Sequence, residues 1–139
     1  MEYRRFQDTY VLRLDRGEEI TEQLKIFAEQ EGVKLASVQA IGAVNEFTVG
    51  AFNTAEKKYY ANDFRGTYEI VSLLGTINTK DGAFYTHLHL CAADETGRAV
   101  GGHLNRAVIS ATCEMIVTLI PGQVDRKFSD EVGLNLFAF

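Results

Sequence analysis

Phe84-Tyr85-Thr86-His87-Leu88-His89-Leu90-Cys91-Ala92-Ala93-Asp94-Glu95-Thr96-Gly97-Arg98-Ala99-Val100-Gly101-Gly102-His103-Leu104 holds every histidine of the 139-residue chain. If Phe84–Ala93 is a strand, its two-residue period puts His87 and His89 on one face. Glu95-Thr96-Gly97 reads as a three-residue hairpin loop ending in a left-handed glycine. Asp94 then pairs with Arg98, and His89 falls opposite His103. Directly opposite residues have Cβ atoms roughly 4.5–5.5 Å apart. A four-residue loop would instead set His103 opposite Leu88, on the wrong face. The stretch thus predicts an antiparallel hairpin carrying three imidazoles on one patch. Gly101-Gly102 beside them either opens space for a ligand or introduces a bulge.

Neutral imidazole is the commonest protein ligand for transition metals. His87, His89 and His103 are the candidate metal ligands. Three histidines with a fourth position open to water or substrate suit zinc, and nickel, copper or ferrous iron are the other candidates. Cys91, on the His87/His89 face, is a weaker candidate ligand. Glu114, on the polar side of Ser110–Thr118, is a candidate partner of a ligand or general base, although an ordinary solvated or ion-paired strand residue is the more frequent outcome. The order Gly82, His87-x-His89, Glu95, Gly102 invites comparison with a cupin. The spacings differ, no later histidine completes the set, and Pro121 stands in no Pro-x-Gly motif.

Outward from the hairpin, Thr9–Leu14 predicts a strand. A helix follows, with Asp15 and Glu18 resembling a capping box, an apolar stripe of Ile20, Leu24, Phe27 and Ala28, and Gly32 as the closing glycine. Val33–Asn53 reads as one bent strand or two strands joined at a glycine bulge. Lys57–Ala61 reads as a short strand, Thr67–Ile77 as a strong one, and Asn78–Gly82 as a turn. Arg98–Leu104, Val108–Ile120 and Leu134–Phe139 complete the strands. The expected fold is α+β, a central mostly antiparallel sheet with one flanking helix, in a single domain over residues 1–139. Phe47, Val49 and Phe52, with Leu134, Leu136, Phe137 and Phe139, offer more apolar strand surface than one helix covers, which favours an oligomer.

The net charge is −5, and the basic residues are scattered. Binding nucleic acid requires a concentrated Lys/Arg surface, so the composition argues against direct contact with DNA or RNA. No run approaches a membrane span, and the N-terminus has no secretory pattern, so a cytoplasmic location is expected. Cys91 and Cys113, both in apolar segments, are expected to be buried thiols rather than a disulfide.

Gly66-Thr67-Tyr68-Glu69-Ile70-Val71-Ser72-Leu73, His87-Leu88-His89-Leu90 and Gly101-Gly102-His103-Leu104, in this order, resemble the PPC domain (plants and prokaryotes conserved), which in plants accompanies AT-hook DNA-binding motifs. Arg16-Gly17-Glu18-Glu19-Ile20 and Ile41-Gly42-Ala43-Val44 are also similar to family segments, so the resemblance runs from about Tyr10 to Phe137. It implies an α+β fold around an antiparallel sheet, a homotrimer, and a metal, zinc first, on His87, His89 and His103. It implies no particular reaction. The plant AT-hook core Arg-Gly-Arg-Pro is absent, and the plant hexapeptide Gly-Arg-Phe-Glu-Ile-Leu is replaced by Gly66–Val71, with Thr67 and Tyr68 at its second and third positions. The histidine pattern and the resemblance together lead us to expect a zinc-binding homotrimer with a metal position open to an unknown small molecule. Metal-assisted hydrolysis or hydration is the chemistry such a site suits. The alternative is a non-enzymatic assembly or regulatory module, DNA-associated only through partners.

Overall fold

The computed structural model describes residues 1–139. In chain order the elements are β1 (Glu2–Phe6), β2 (Thr9–Asp15), α1 (Ile20–Glu31), β3 (Ala36–Asn53), β4 (Lys58–Lys80), β5 (Ala83–Asp94), β6 (Ala99–Leu119), β7 (Asp125–Ser129) and β8 (Leu134–Ala138). Six strands form one antiparallel sheet in the order β1-β2-β6-β3-β4-β5, and β7 and β8 form a separate hairpin. The sheet does not stay open. The first part of β6 also pairs with β5, so β3, β4, β5 and β6 close into a ring at one end. The expected α+β architecture with a single helix is what the chain adopts. No helix is long and apolar enough to cross a membrane.

Helix α1 buries Ile20, Leu24, Phe27 and Ala28, the stripe read from the sequence, and Gly32 ends it at φ +66°. Its start differs from expectation. Asp15 is still in β2, paired with Thr112, and the chain turns through Gly17 (φ +88°) before the helix begins. Half of the expected capping box survives, since the Asp15 amide donates to Glu18 Oε2 at 2.7 Å. The cap itself is Glu19, whose Oε2 accepts the Glu22 amide at 2.8 Å and whose Oε1 accepts the Ala107 amide of β6 at 2.9 Å. One carboxylate therefore both caps the helix and anchors it to the sheet. Phe27 meets Tyr10 and Tyr3 edge-on, with ring centroids 4.9 and 5.2 Å apart.

Two strands are longer than the sequence suggested. Apart from the end residues Lys57, Arg98 and Ile120, the segments Lys57–Ala61 and Thr67–Ile77 belong to one continuous strand, β4, and Arg98–Leu104 and Val108–Ile120 to another, β6. Polar and glycine residues read as breaks are bulges, where the β3–β4 and β3–β6 registers shift. The Asn78–Gly82 turn is likewise shorter, because β4 runs on to Lys80. Asn78 and Thr79 are buried there, with side-chain bonds to Arg126 and Gln123. Polar residues that find interior partners need not turn the chain.

Close strand approach explains the glycine pair. A Cβ on Gly102 would lie 2.5 Å from the Gly50 carbonyl oxygen, and one on Gly101 would lie 2.5 Å from that of Leu90. The apolar surplus is also partly absorbed. Phe47 and Val49 are buried within the one chain, with Phe47 stacked on Phe64 at 5.1 Å, because the sheet curls over them. They give no support to an oligomer. Leu134, Leu136, Phe137 and Phe139 do stay exposed, as do Ile41, Val71 and Leu74 of β3 and β4; Ile41 and Val71 fall where the β3–β4 register shifts, and Leu74 stands opposite Gln39. Cys113 is buried, Cys91 half-buried, and both are free thiols. Burial pushes the Cys113 thiol up to about 12.

Phe27 is fully buried at the helix–sheet contact. Phe27→Ala is expected to cost about 3–5 kcal/mol, read as a fall in the urea midpoint at unchanged slope.

Candidate metal centre

The β5–β6 hairpin adopts the register that the three-residue loop requires. His89 pairs with His103, and the ladder runs back to Ala93 opposite Ala99. Gly97 takes φ +79°, and the Asp94 amide donates to the Arg98 carbonyl at 3.0 Å. The Asp94 side chain supports this loop from within. Its Oδ1 accepts the Thr96 hydroxyl at 2.6 Å, the Thr96 amide at 2.9 Å and the Arg98 amide at 3.0 Å. These bonds, the Thr96 hydroxyl first, hold the Asp94 carboxyl below its ordinary pKa of 3.8.

The result is a cluster in which each of His87, His89 and His103 offers a ring nitrogen within 4.8 Å of the other two. Ring centroids lie 5.2 Å apart for His87–His89 and His87–His103, and 5.7 Å apart for His89–His103. Burial is the leading cause that lowers the pKa of His87 and His103 below 6.5, with neighbouring imidazole charge and Arg126 adding to it. The neutral imidazole favoured there is the form that coordinates metals. Three convergent imidazole nitrogen donors fit a divalent transition metal.

The cluster forms part of the wall of a cavity of about 700 Å³ between the sheet and the β7–β8 hairpin. Several residues that sequence reasoning did not single out as functional also line it. Tyr59 sets its ring edge-on to His103 at 6.0 Å. Its hydroxyl donates to Asn105 Oδ1 at 2.5 Å and lies 3.2 Å from the His103 carbonyl, and burial raises its pKa. Asn105 is the bulge residue between the Thr48–Arg106 and Val49–Leu104 pairs. Arg126, on β7, brings Nη2 to 3.5 Å from His87 Nδ1. In the sequence Arg126 stands beside Lys127 with no motif to mark it. Its site role depends on β7, which no periodicity announced.

Neither secondary candidate joins the cluster. Cys91 shares the face of His89 two residues along β5 but is not among the cavity walls. Glu114 is exposed on β6, between Arg13 of β2 and Ile41 of β3, and lies outside the cavity. The solvated strand residue is what the structure shows at Glu114.

The family model of the Plants and Prokaryotes Conserved (PCC) domain matches residues 1–121, and the chain belongs to that family. A Bacteroides thetaiotaomicron protein provisionally described as DNA-binding shares 29% identity with it at a TM-score of 0.96, over 99% of this chain and 96% of that one. The metal-containing protein AF0104 of Archaeoglobus fulgidus shares 31% identity at a TM-score of 0.90, over 99% of this chain and 97% of that one. A bifunctional protein GlmU from Synechococcus sp. (strain JA-3-3Ab) is 32% identical over 121 residues, which are 86% of this chain and 18% of that protein. The chain thus spans under a fifth of that relative's length.

Asp94 generates a pH prediction. Its folded pKa is depressed, so its stabilising contribution is complete above about 3.8 and is lost as pH falls through the lower folded value. Asp94→Ala is expected to lower the melting temperature at pH 6, with the gap to wild type closing as both are titrated towards pH 2. A gap of constant size across that range would show that the carboxylate does not support the loop.

Proposed function

We propose that this family member is a metal-binding protein, with one divalent transition metal, zinc first, held by His87, His89 and His103 and a fourth position facing the cavity. The observation that carries this reading is the convergence of three imidazole nitrogens within 4.8 Å of one another at the wall of a cavity. A relative that matches nearly its whole length is called metal-containing, which supports it further. A metal with three imidazoles and an open position supplies Lewis acidity, the requirement of hydrolysis and hydration chemistry. The chain's own residues contribute the rest. The Asp94 loop holds His89 opposite His103, Tyr59 braces the backbone at His103, and the β7–β8 hairpin supplies the facing wall of the cavity while His87 and His89 stay open to solvent.

We further propose that the working unit is a homotrimer. Ile41 (58% exposed), Val71 (56%) and Leu74 (56%) form an apolar strip on the outer face of β3 and β4, a surface of the kind that association removes from water. The same strip favours a second reading, a non-enzymatic assembly module whose metal serves only stability. The net charge of −5 argues against direct nucleic-acid contact under either reading.

Metal analysis of tag-free protein by plasma mass spectrometry tests the first reading. The expected result is about one zinc per chain, lost in His87→Ala, His89→Ala and His103→Ala proteins that retain their circular dichroism. Folded wild type without metal after zinc loading and buffer exchange would overturn it. Light scattering after size exclusion tests the assembly: a mass three times that of the chain is expected, and Leu74→Glu is expected to shift it towards monomer.

A further inference from the structure

Arg126 is 92% buried by side-chain and backbone area, with 8% exposure, and it takes part in none of the ion pairs of the chain. A buried guanidinium without a counter-ion is costly unless its donors are satisfied. Two of its five N–H groups are. Nε donates to Asn78 Oδ1 and Nη1 to the Asn135 carbonyl, both at 2.7 Å. The flat group is packed between the Tyr85 and Phe137 rings, 4.9 and 4.3 Å from their centroids, so its orientation is fixed. The remaining N–H group of Nη1 and the two of Nη2 have no oxygen partner; the one further polar contact is Nη2 to His87 Nδ1 at 3.5 Å.

The surroundings select one kind of partner for those donors. Arg126 is the only formally charged residue on the cavity wall at neutral pH, and no aspartate or glutamate lines it. The neighbouring carboxylate, Asp125, alternates to the other face of β7, where it acts on Lys80. Beyond the histidines the wall carries an apolar group of Phe52, Phe128, Leu134 and Leu136, with Tyr59, Tyr85, Asn105 and Asn135 as its neutral polar members. A pair of parallel guanidinium N–H groups matches the two oxygens of a carboxylate.

We infer that the cavity is a subsite for a small organic acid, whose carboxylate lies on the free Nη1/Nη2 edge of Arg126 beside the histidine cluster and whose apolar body rests on Phe52, Phe128, Leu134 and Leu136. This deepens the metal-centre reading, on which the ligand's place beside the histidines rests. Asn78 is a positioning residue, because it fixes the guanidinium through Nε and is itself tied to Thr76 Oγ1 at 3.0 Å. Thr76 stands opposite His87 in the β4–β5 ladder, so the anion anchor and the histidine face share one stretch of sheet.

Isothermal titration of chelator-stripped and zinc-loaded protein with sodium acetate, butyrate and hexanoate tests this, with hexanamide as the neutral isostere and inorganic phosphate as a second anion. The metal-free arm isolates Arg126 from any attraction to zinc. There hexanoate is expected to bind about tenfold or more tightly than hexanamide. Affinity should rise by about fourfold per added methylene along the series. Folded Arg126→Gln should lose the preference for the acid over the amide. If hexanoate and hexanamide bind alike, or neither binds, or phosphate binds more tightly than hexanoate, the proposal is overturned, whatever the fate of the variant. Zinc content measured on the same samples separates the two readings: zinc uptake without acid preference leaves the metal centre standing and removes the subsite, while acid preference without zinc uptake does the reverse.

Discussion

The pairing of His89 with His103 is the constraint on which the rest depends. It is made by a three-residue loop, and that loop is held by one carboxylate accepting three donors. A slip of one residue would send His103 to the opposite face of β6 and Leu104 outward. The same pairing closes β3, β4, β5 and β6 into a ring, and the inward residues of that ring, Leu88, Leu90 and Ala92, are buried. Core burial and histidine convergence are thus two faces of one register. A change that loosens one loosens the other.

The ring leaves the histidines on its outer side, and an outer side is normally solvated. Here the β7–β8 hairpin stands over the histidine patch as the second wall of a cavity, with His87 and His89 still reached by solvent. Arg126 reaches from β7 to Asn78 on β4, and the Thr79 amide and hydroxyl reach the Val124 carbonyl at 3.3 and 3.4 Å. These polar contacts tie the hairpin down, and they place a fixed positive charge beside the three imidazoles. The charge on the cavity wall comes from this long-range docking, since β5, which bears His87 and His89, carries no lysine or arginine.

Glycine has a specific task in this arrangement. Gly102 lets β6 approach β3 so closely that a methyl group on it would meet the Gly50 carbonyl oxygen at 2.5 Å, and Gly50 does the same for β3 against β4, where the Tyr60 carbonyl oxygen would lie at 2.3 Å. The Gly50–His103 pair sits at that approach. The Gly-Gly-His element therefore reads as a packing requirement first.

The residues alone settled the helix, because its stripe and closing glycine are local patterns with one period, and they settled the hairpin register, because loop length and a left-handed glycine leave few options. They also brought His87, His89 and His103 to one face. They could not show that β4 and β6 run unbroken through their polar bulges, since Asn78 and Thr79 read as a turn until Arg126 and Gln123 supply partners from about 45 residues away. They could not show that Phe47 and Val49 are covered within the chain, which depends on sheet curvature, or that Glu19 rather than Asp15 caps the helix, which depends on the Ala107 amide. Above all they could not assign Arg126 to the site. A short strand far along the chain acquires its meaning from the surface it docks on, and that contact exists only once the sheet has closed.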